Sequence, residues 1–264
     1  MTDAAPLPAL IVLASGLREA RTRRGIKLRR LADMVDLHPG VLSAFELGRR
    51  VPPDTTVAHI LGVLRSPNTV REQLVDLARR AHERDFIDHT GRDEDLLRAT
   101  YEQRATHVTE WSPSLIPQAL QTVDYAHALR ETNLLDPDTA DMRSLARTVQ
   151  QLSALNEPGP RHTFLIGEAA TRTEASSPTM LRDQLDAVTT MTRHPRMSVR
   201  LVPAIDCPPG LVEPFTLYED RAGAFAVAVR HHQGAVFLTH DAALATYKKT
   251  AKSLQRRATD NAWP

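Results

Sequence analysis

The stretch LADMVDLHPGVLSAFELGRRVP, residues 31–52, restricts the fold of this chain more than any other. Leu28, Leu31, Ala32 and Val35 recur at i, i+3, i+4 and i+7, the spacing of one helical face. After a break at 36–40, Val41, Leu42 and Phe45 set a further helix, and Gly48 closes it. Two short amphipathic helices joined this tightly must cross. Ala32 is small for that reason, because a larger side chain at the crossing would push the helices apart.

The same pattern extends to both sides. Leu13, Leu17 and Ala20 mark a first helix that Gly25 ends, and Val57, Ile60, Leu61 and Leu64 mark a fourth. Thr69 with Glu72 forms a capping-box pair that opens a fifth, carrying Val70, Leu74, Leu77 and Ala81 on one side. Five short helices over residues 10–82 make an all-α domain, assigned to 1–84. The polar stretch from His82 to Asp95 is the expected boundary, as a linker or as a continuous helix.

The positions Gly25, Leu31-Ala32, Asp36, Leu42, Phe45, Glu46, Gly48, Arg49 and Pro52 are spaced as in the Cro and phage-repressor (XRE) type of helix-turn-helix. Over about residues 10–64 the chain resembles that family. The resemblance implies a structural ion pair between Arg21 of the first helix and Glu46 of the third. It also implies a DNA grip through Arg49 and Arg50. Three departures stand out. Asp36 occupies a turn position where glycine is usual, although Asp tolerates the left-handed conformation. Leu28 stands where a phosphate-touching glutamine is common, a contact that backbone amides at the helix N-terminus replace in part, with Lys27 and Arg29 supplying charge. Pro39, Gly40 and Ala44 match the base-reading positions, leaving His38 and Ser43 as the nearby hydrogen-bonding side chains. Short residues let the helix sit deep in a major groove, where Pro39 and Ala44 can touch thymine methyls. Specificity should then rest on dimer spacing and DNA shape.

The charge distribution agrees. The whole chain has a net charge of +1, but residues 1–81 carry thirteen Lys/Arg against eight Asp/Glu and residues 82–264 carry twenty against twenty-four. The basic end is the one expected to meet a polyanion. No apolar run is long enough for a transmembrane helix, so a cytoplasmic protein without membrane contact is expected. The single Cys207 excludes an internal disulfide, and no CxxC or HExxH indicates a metal. No cofactor is expected.

Residues 85–264 read as an α+β domain. Helical patterns fill 94–106, 122–133 and 138–156, with SPSLIP as a loop between the first two. Strands are expected at 163–167, 198–202, 215–219, 224–230 and 235–239, the last three separated by the turns DRAG and HHQG. A helix opening at Ser177-Pro178 joins the first two strands, and one from Asp241 to about Arg257 closes the chain. Helices followed by a mainly antiparallel sheet define the class.

IPQALQTVDYAHAL (116–129), the Arg147/Gln151 region, LIGEAATR (165–172), MLRDQL (180–185) and VRLVPA followed by EPFTLYE resemble the uncharacterised domain that accompanies this helix-turn-helix in actinobacterial regulators. Those regulators are described as WhiJ-like or antitoxin-like. The resemblance implies a small protein partner. Gln118-Ala119 and Gln150 depart from the usual glycine-leucine and arginine. His231, His232, His240, Asp241, Cys207 and Glu168 supply residue types for catalysis, but adjacent histidines in a turn are ordinarily solvated, and no catalytic residue is assigned. Cys207 reads as an ordinary thiol with redox sensing as the alternative, and Tyr125, Trp111 and Phe215 as core with a ligand pocket as the alternative. The expected function is a homodimeric transcriptional regulator on double-stranded DNA with two half-sites, controlled through 85–264 by a small protein. The alternatives are a small-molecule sensor, or an enzyme or partner-binding module with an inert helix-turn-helix.

Overall fold

Leu13 and Leu17 of α1 (Pro8–Arg23), Leu31 and Ala32 of α2 (Leu28–Met34), Leu42 of α3 (Pro39–Glu46), Val57, Ile60 and Leu61 of α4 (Asp54–Val63) and Leu74 of α5 (Asn68–Arg79) are all at most 4% exposed and form one core. These are the residues that the helical periodicity singles out, so the apolar stripes of the sequence are the packed faces. The structure is a computed structural model that describes residues 7–89, 91, 93–132, 159–172, 177–207, 213–231 and 234–260.

The remaining elements follow in the order β1 (Asp85–Asp88), α6 (Glu94–Arg104), β2 (His107–Ser112), α7 (Val123–Thr132), β3 (Arg161–Gly167), α8 (Pro178–Met191), β4 (Met197–Val202), β5 (Phe215–Asp220), β6 (Gly223–His231), β7 (Gly234–Leu238), α9 (Asp241–Arg257) and β8 (Thr259–Asp260). The fold is α+β, a helical N-terminal region followed by a mostly antiparallel sheet. Two compact units divide it: Met1–Ala99 with Gln233–His240, and Thr100–His232 with Asp241–Pro264.

In the first unit β1 pairs antiparallel with β7, Phe86 opposite Phe237. Asp88 ends the strand and accepts the backbone N–H groups of Asp93 and Glu94 through Oδ2, both at 2.9 Å, which caps the start of α6. The polar stretch His82–Asp95 therefore contains a strand, neither a linker nor a continuous helix. Its carboxylates fill edge and cap positions.

In the second unit the strand order is β6-β5-β2-β3-β4-β8. β2, β3 and β4 run parallel, with Trp111 opposite Leu165 and Phe164 opposite Val199. β5, β6 and β8 are antiparallel to their neighbours. Tyr125, Leu129, Phe164, Ile166, Val188, Met197 and Val199 make the core between α7, α8 and one sheet face. α9 packs on β4, β5 and β6, and Tyr247 of α9 meets Phe215 edge-on with ring centroids 5.0 Å apart. Arg200 of β4 closes the far end of α9 by donating to the carbonyls of Gln255 (2.9 Å) and Ala258 (3.0 Å), acceptors that the helix itself leaves open.

The sequence reading needs two further corrections here. SPSLIP does not join two helices directly, because β2 precedes it. α5 opens at Asn68 after an N-cap Pro67 that offers no side-chain bond. That places Thr69 inside the first turn, out of reach as a cap, so no Thr69–Glu72 capping box forms. The helical pattern at 138–156 falls outside the described residues.

Candidate nucleic-acid interface

The α2–turn–α3 unit is held by one arginine. Arg21 Nε donates to Glu46 Oε1 at 2.7 Å and Nη2 donates to Oε2 at 2.8 Å, while Nη1 donates to the carbonyl of Ile26 at 3.0 Å. One guanidinium thus ties α1, the α1–α2 turn and α3 together. Its side chain is 13% exposed and that of Glu46 4%. The hydrogen bonds to Glu46 hold Arg21 above the ordinary arginine range against the opposing effect of burial, so the pair stays charged and bidentate. Asp36 adopts φ +53° at the end of α2, and the turn is fastened by Leu37 N–H donating to Ala32 at 2.9 Å.

α3 begins with His38 as N-cap and Pro39 in the first turn. His38 Nδ1 accepts the backbone N–H of Gly40 at 3.1 Å. A Cβ on residue 40 would stand 3.1 Å from that same nitrogen. A side chain at residue 40 would therefore press on the capping His38 ring. Leu42, Phe45 and Glu46 face inward. On the opposite side, Gly40 is exposed, Ser43 and Ala44 are half-buried, and Leu47 is 50% exposed. Gly40, Ala44 and Leu47 follow at i, i+4 and i+7 on one outward row. Leu47 escaped the sequence reading. Its only signal is that it falls on the helix face opposite Leu42 and Phe45.

The cations cluster at two places. Lys27 is the N-cap of α2, and Arg29 and Arg30 lie in its first turn, all exposed. Arg30 was not singled out from the sequence. Positive side chains at a helix N-terminus add to the positive end of the dipole instead of offsetting it, which makes this end attractive to an anion. At the other place, Gly48 takes φ +63° and turns the chain out of α3. Arg49 N–H still reaches the Ala44 carbonyl at 2.9 Å, and the Arg49 and Arg50 side chains are exposed. Arg50 lies over the Phe45 ring, 5.9 Å from its centroid.

Of the residues whose types suggested chemistry elsewhere, Glu168 and His240 have structural partners. Glu168 Oε2 accepts the Ala204 N–H at 2.8 Å, and its other oxygen pairs with Arg172. His240 Nδ1 lies 2.8 Å from Asp85 Oδ1. His231 ends β6 on the surface, and His232 lies outside the described residues. Burial pushes the Cys207 thiol up against the opposing pull of Arg257, the wrong direction for a reactive thiolate. Trp111, Tyr125 and Phe215 are at most 2% exposed and belong to the core. Among the described residues no cluster of three His, Cys, Asp or Glu is placed to hold a metal, and no helix is long and apolar enough to cross a membrane.

Residues 17–67 match the helix-turn-helix family model, and residues 97–262 match the model of a domain of unknown function (DUF5753). No curated protein and no solved structure matches the chain.

Proposed function

The chain belongs to the DUF5753 family, its domain here preceded by a helix-turn-helix, and on that premise we propose that it is a sequence-specific transcriptional regulator. It acts in the cytoplasm as a homodimer on a two-half-site operator. Residues 1–84 read DNA, and residues 85–264 receive a small protein partner, as in WhiJ-like or antitoxin-like regulators. The helix-turn-helix points to a DNA-binding regulator and away from an enzyme.

The observation that carries the reading is the outward row of α3, with one group of exposed cations at the start of α2 and another directly after α3. Gly40, Ser43, Ala44 and Leu47 present an outward surface with one hydroxyl, His38 stands at its leading end, Arg49 and Arg50 follow it in the chain, and Lys27 and Arg29 stand exposed at the start of α2. The short side chains of Gly40, Ser43 and Ala44 allow the helix backbone to approach base edges, and the cations supply the sequence-independent hold on phosphates. The Arg21–Glu46 pair fixes α3 against α1, so the reading residues move as one rigid element.

The test is selection of the full chain on a random duplex library, followed by titration of the selected site at several salt concentrations with wild type and Arg49→Ala. The expected result is a two-fold symmetric site, with a salt slope that shrinks by about one unit in the variant. Absence of any enriched sequence would overturn the reading.

A further inference from the structure

We propose that the outward face of α9 is a second nucleic-acid contact, a phosphate-backbone site on the DUF5753 domain independent of α3. α9 carries Lys248, Lys249, Lys252, Arg256 and Arg257 against the single carboxylate of Asp241. Outside this helix, residues 82–264 hold fifteen cations and twenty-three carboxylates. A strongly basic helix thus belongs to an otherwise acidic domain.

Two of the five cations have structural work. Lys248 pairs with Glu219 at 2.9 Å, and Arg257 donates to the carbonyl of Asp206 at 2.9 Å. Lys249, Lys252 and Arg256 differ. They are exposed, and among the described residues none has a hydrogen-bond or ion-pair partner. They stand at i, i+3 and i+7, on one stripe about 10 Å long. Lys252 repels both of its neighbours at these spacings, which costs helix stability with nothing internal to offset it. The helix dipole favours Arg256 in the last turn but gives no reason for Lys249, two turns earlier. Arg200, Lys252, Gln255 and Arg256 line a shallow depression of about 480 Å³, where Arg200, its guanidinium held by the Gln255 and Ala258 carbonyls, adds only its charge.

The composition of the face decides between polyanions. The other exposed positions on this side are Asp241 in the first turn, Ala242, Ala245 and Thr246, without an aromatic or a large aliphatic residue. Protein interfaces bury such anchors and are poor in lysine. A lysine-rich stripe without an apolar centre suits a phosphate backbone, which presents a charge every 1.7 Å or so of duplex axis.

The experiment uses the full chain, a random-sequence 30-bp duplex and the selected operator, and compares wild type with the K249A/K252A/R256A variant. All three positions are exposed and alanine is a better helix former, so the fold is retained and a melting curve verifies it. The salt slope should fall by about two to three units on both duplexes, and affinity should drop by the same factor on each. Lys248→Ala, which removes a cation already held by Glu219, should leave the slope unchanged. Loss of slope in the triple variant with no operator preference in wild type would support this site while refuting the helix-turn-helix reading. An unchanged slope in the triple variant, with Arg49→Ala still reducing it, would overturn this site alone and leave the stripe to an acidic protein.

Discussion

The imidazole of His38 accepts the Gly40 N–H through Nδ1 at 3.1 Å, and this fixes which hydrogen bond the ring offers outward. A neutral imidazole whose Nδ1 accepts carries its proton on Nε2. His38 therefore caps α3 with one nitrogen and presents a donor with the other. It should select base edges that accept, such as N7 or O6 of a purine. His38→Asp retains a capping oxygen and removes the donor. We expect α3 to stay folded while one position per half-site shifts toward a base that donates, with about 1–3 kcal/mol of lost preference for the original base. Library selection on both proteins measures this, and identical preferences would exclude His38 from readout.

The Arg21–Glu46 pair sets the stability of the reading head. Truncating Arg21 strands a carboxylate whose side chain is 4% exposed, and breaking a buried pair on one side costs about 3–5 kcal/mol. Glu46→Gln should cost less, because the amide oxygen still accepts from the guanidinium. Chemical denaturation of the full chain should rank wild type above Glu46→Gln above Arg21→Ala. Equal midpoints would mean that the pair is only decorative.

Much of this head is legible in the sequence because helical periodicity and turn residues act locally. Asp36 at φ +53° shows the reason: a break between two apolar stripes needs a left-handed residue, and Asp is one of the few that tolerates it. His38 stands out in the sequence only as a polar side chain beside the reading positions; its role as the cap of α3 is not legible there, because histidine is not among the usual N-cap residues. The sheet was harder. β2 is covered on both faces, so HVTEWS shows no alternation, and β1 is four residues rich in carboxylates. Neither strand has a local signal strong enough to outvote the helices around it. Contacts across long separations, such as Arg104 to Asp220, have no local signature at all.

His162 gives the second unit an acid limit. Burial first, then the nearby charges of Arg196 and His107, lower its pKa from 6.5 to about 4. The folded state thus holds it neutral where the unfolded chain takes up a proton. Stability is fully present above about pH 6.5, falls as the pH drops toward 4, and levels off below it, with roughly 3 kcal/mol lost across that window. Denaturation midpoints of wild type and His162→Gln between pH 4 and pH 7 should diverge, the wild type losing more on acidification. Parallel curves would assign the acid sensitivity to other groups.

Half-site spacing tests the dimer. The outward face of α3 has few hydrogen-bonding groups, so in the proposed dimer a single head discriminates weakly and two heads engaging successive major grooves about 34 Å apart supply the selectivity. Inserting about 5 bp between the half-sites rotates one of them to the opposite side of the duplex. The full chain should then lose most of its preference over random DNA while its salt slope changes little, because the phosphate contacts carry no sequence information. Inserting a full turn of about 10 bp restores the facing but stretches the separation, so recovery measures how far the link between heads can extend. Equal affinity at all spacings would show that each head binds alone, and the larger domain would then have no part in setting their geometry.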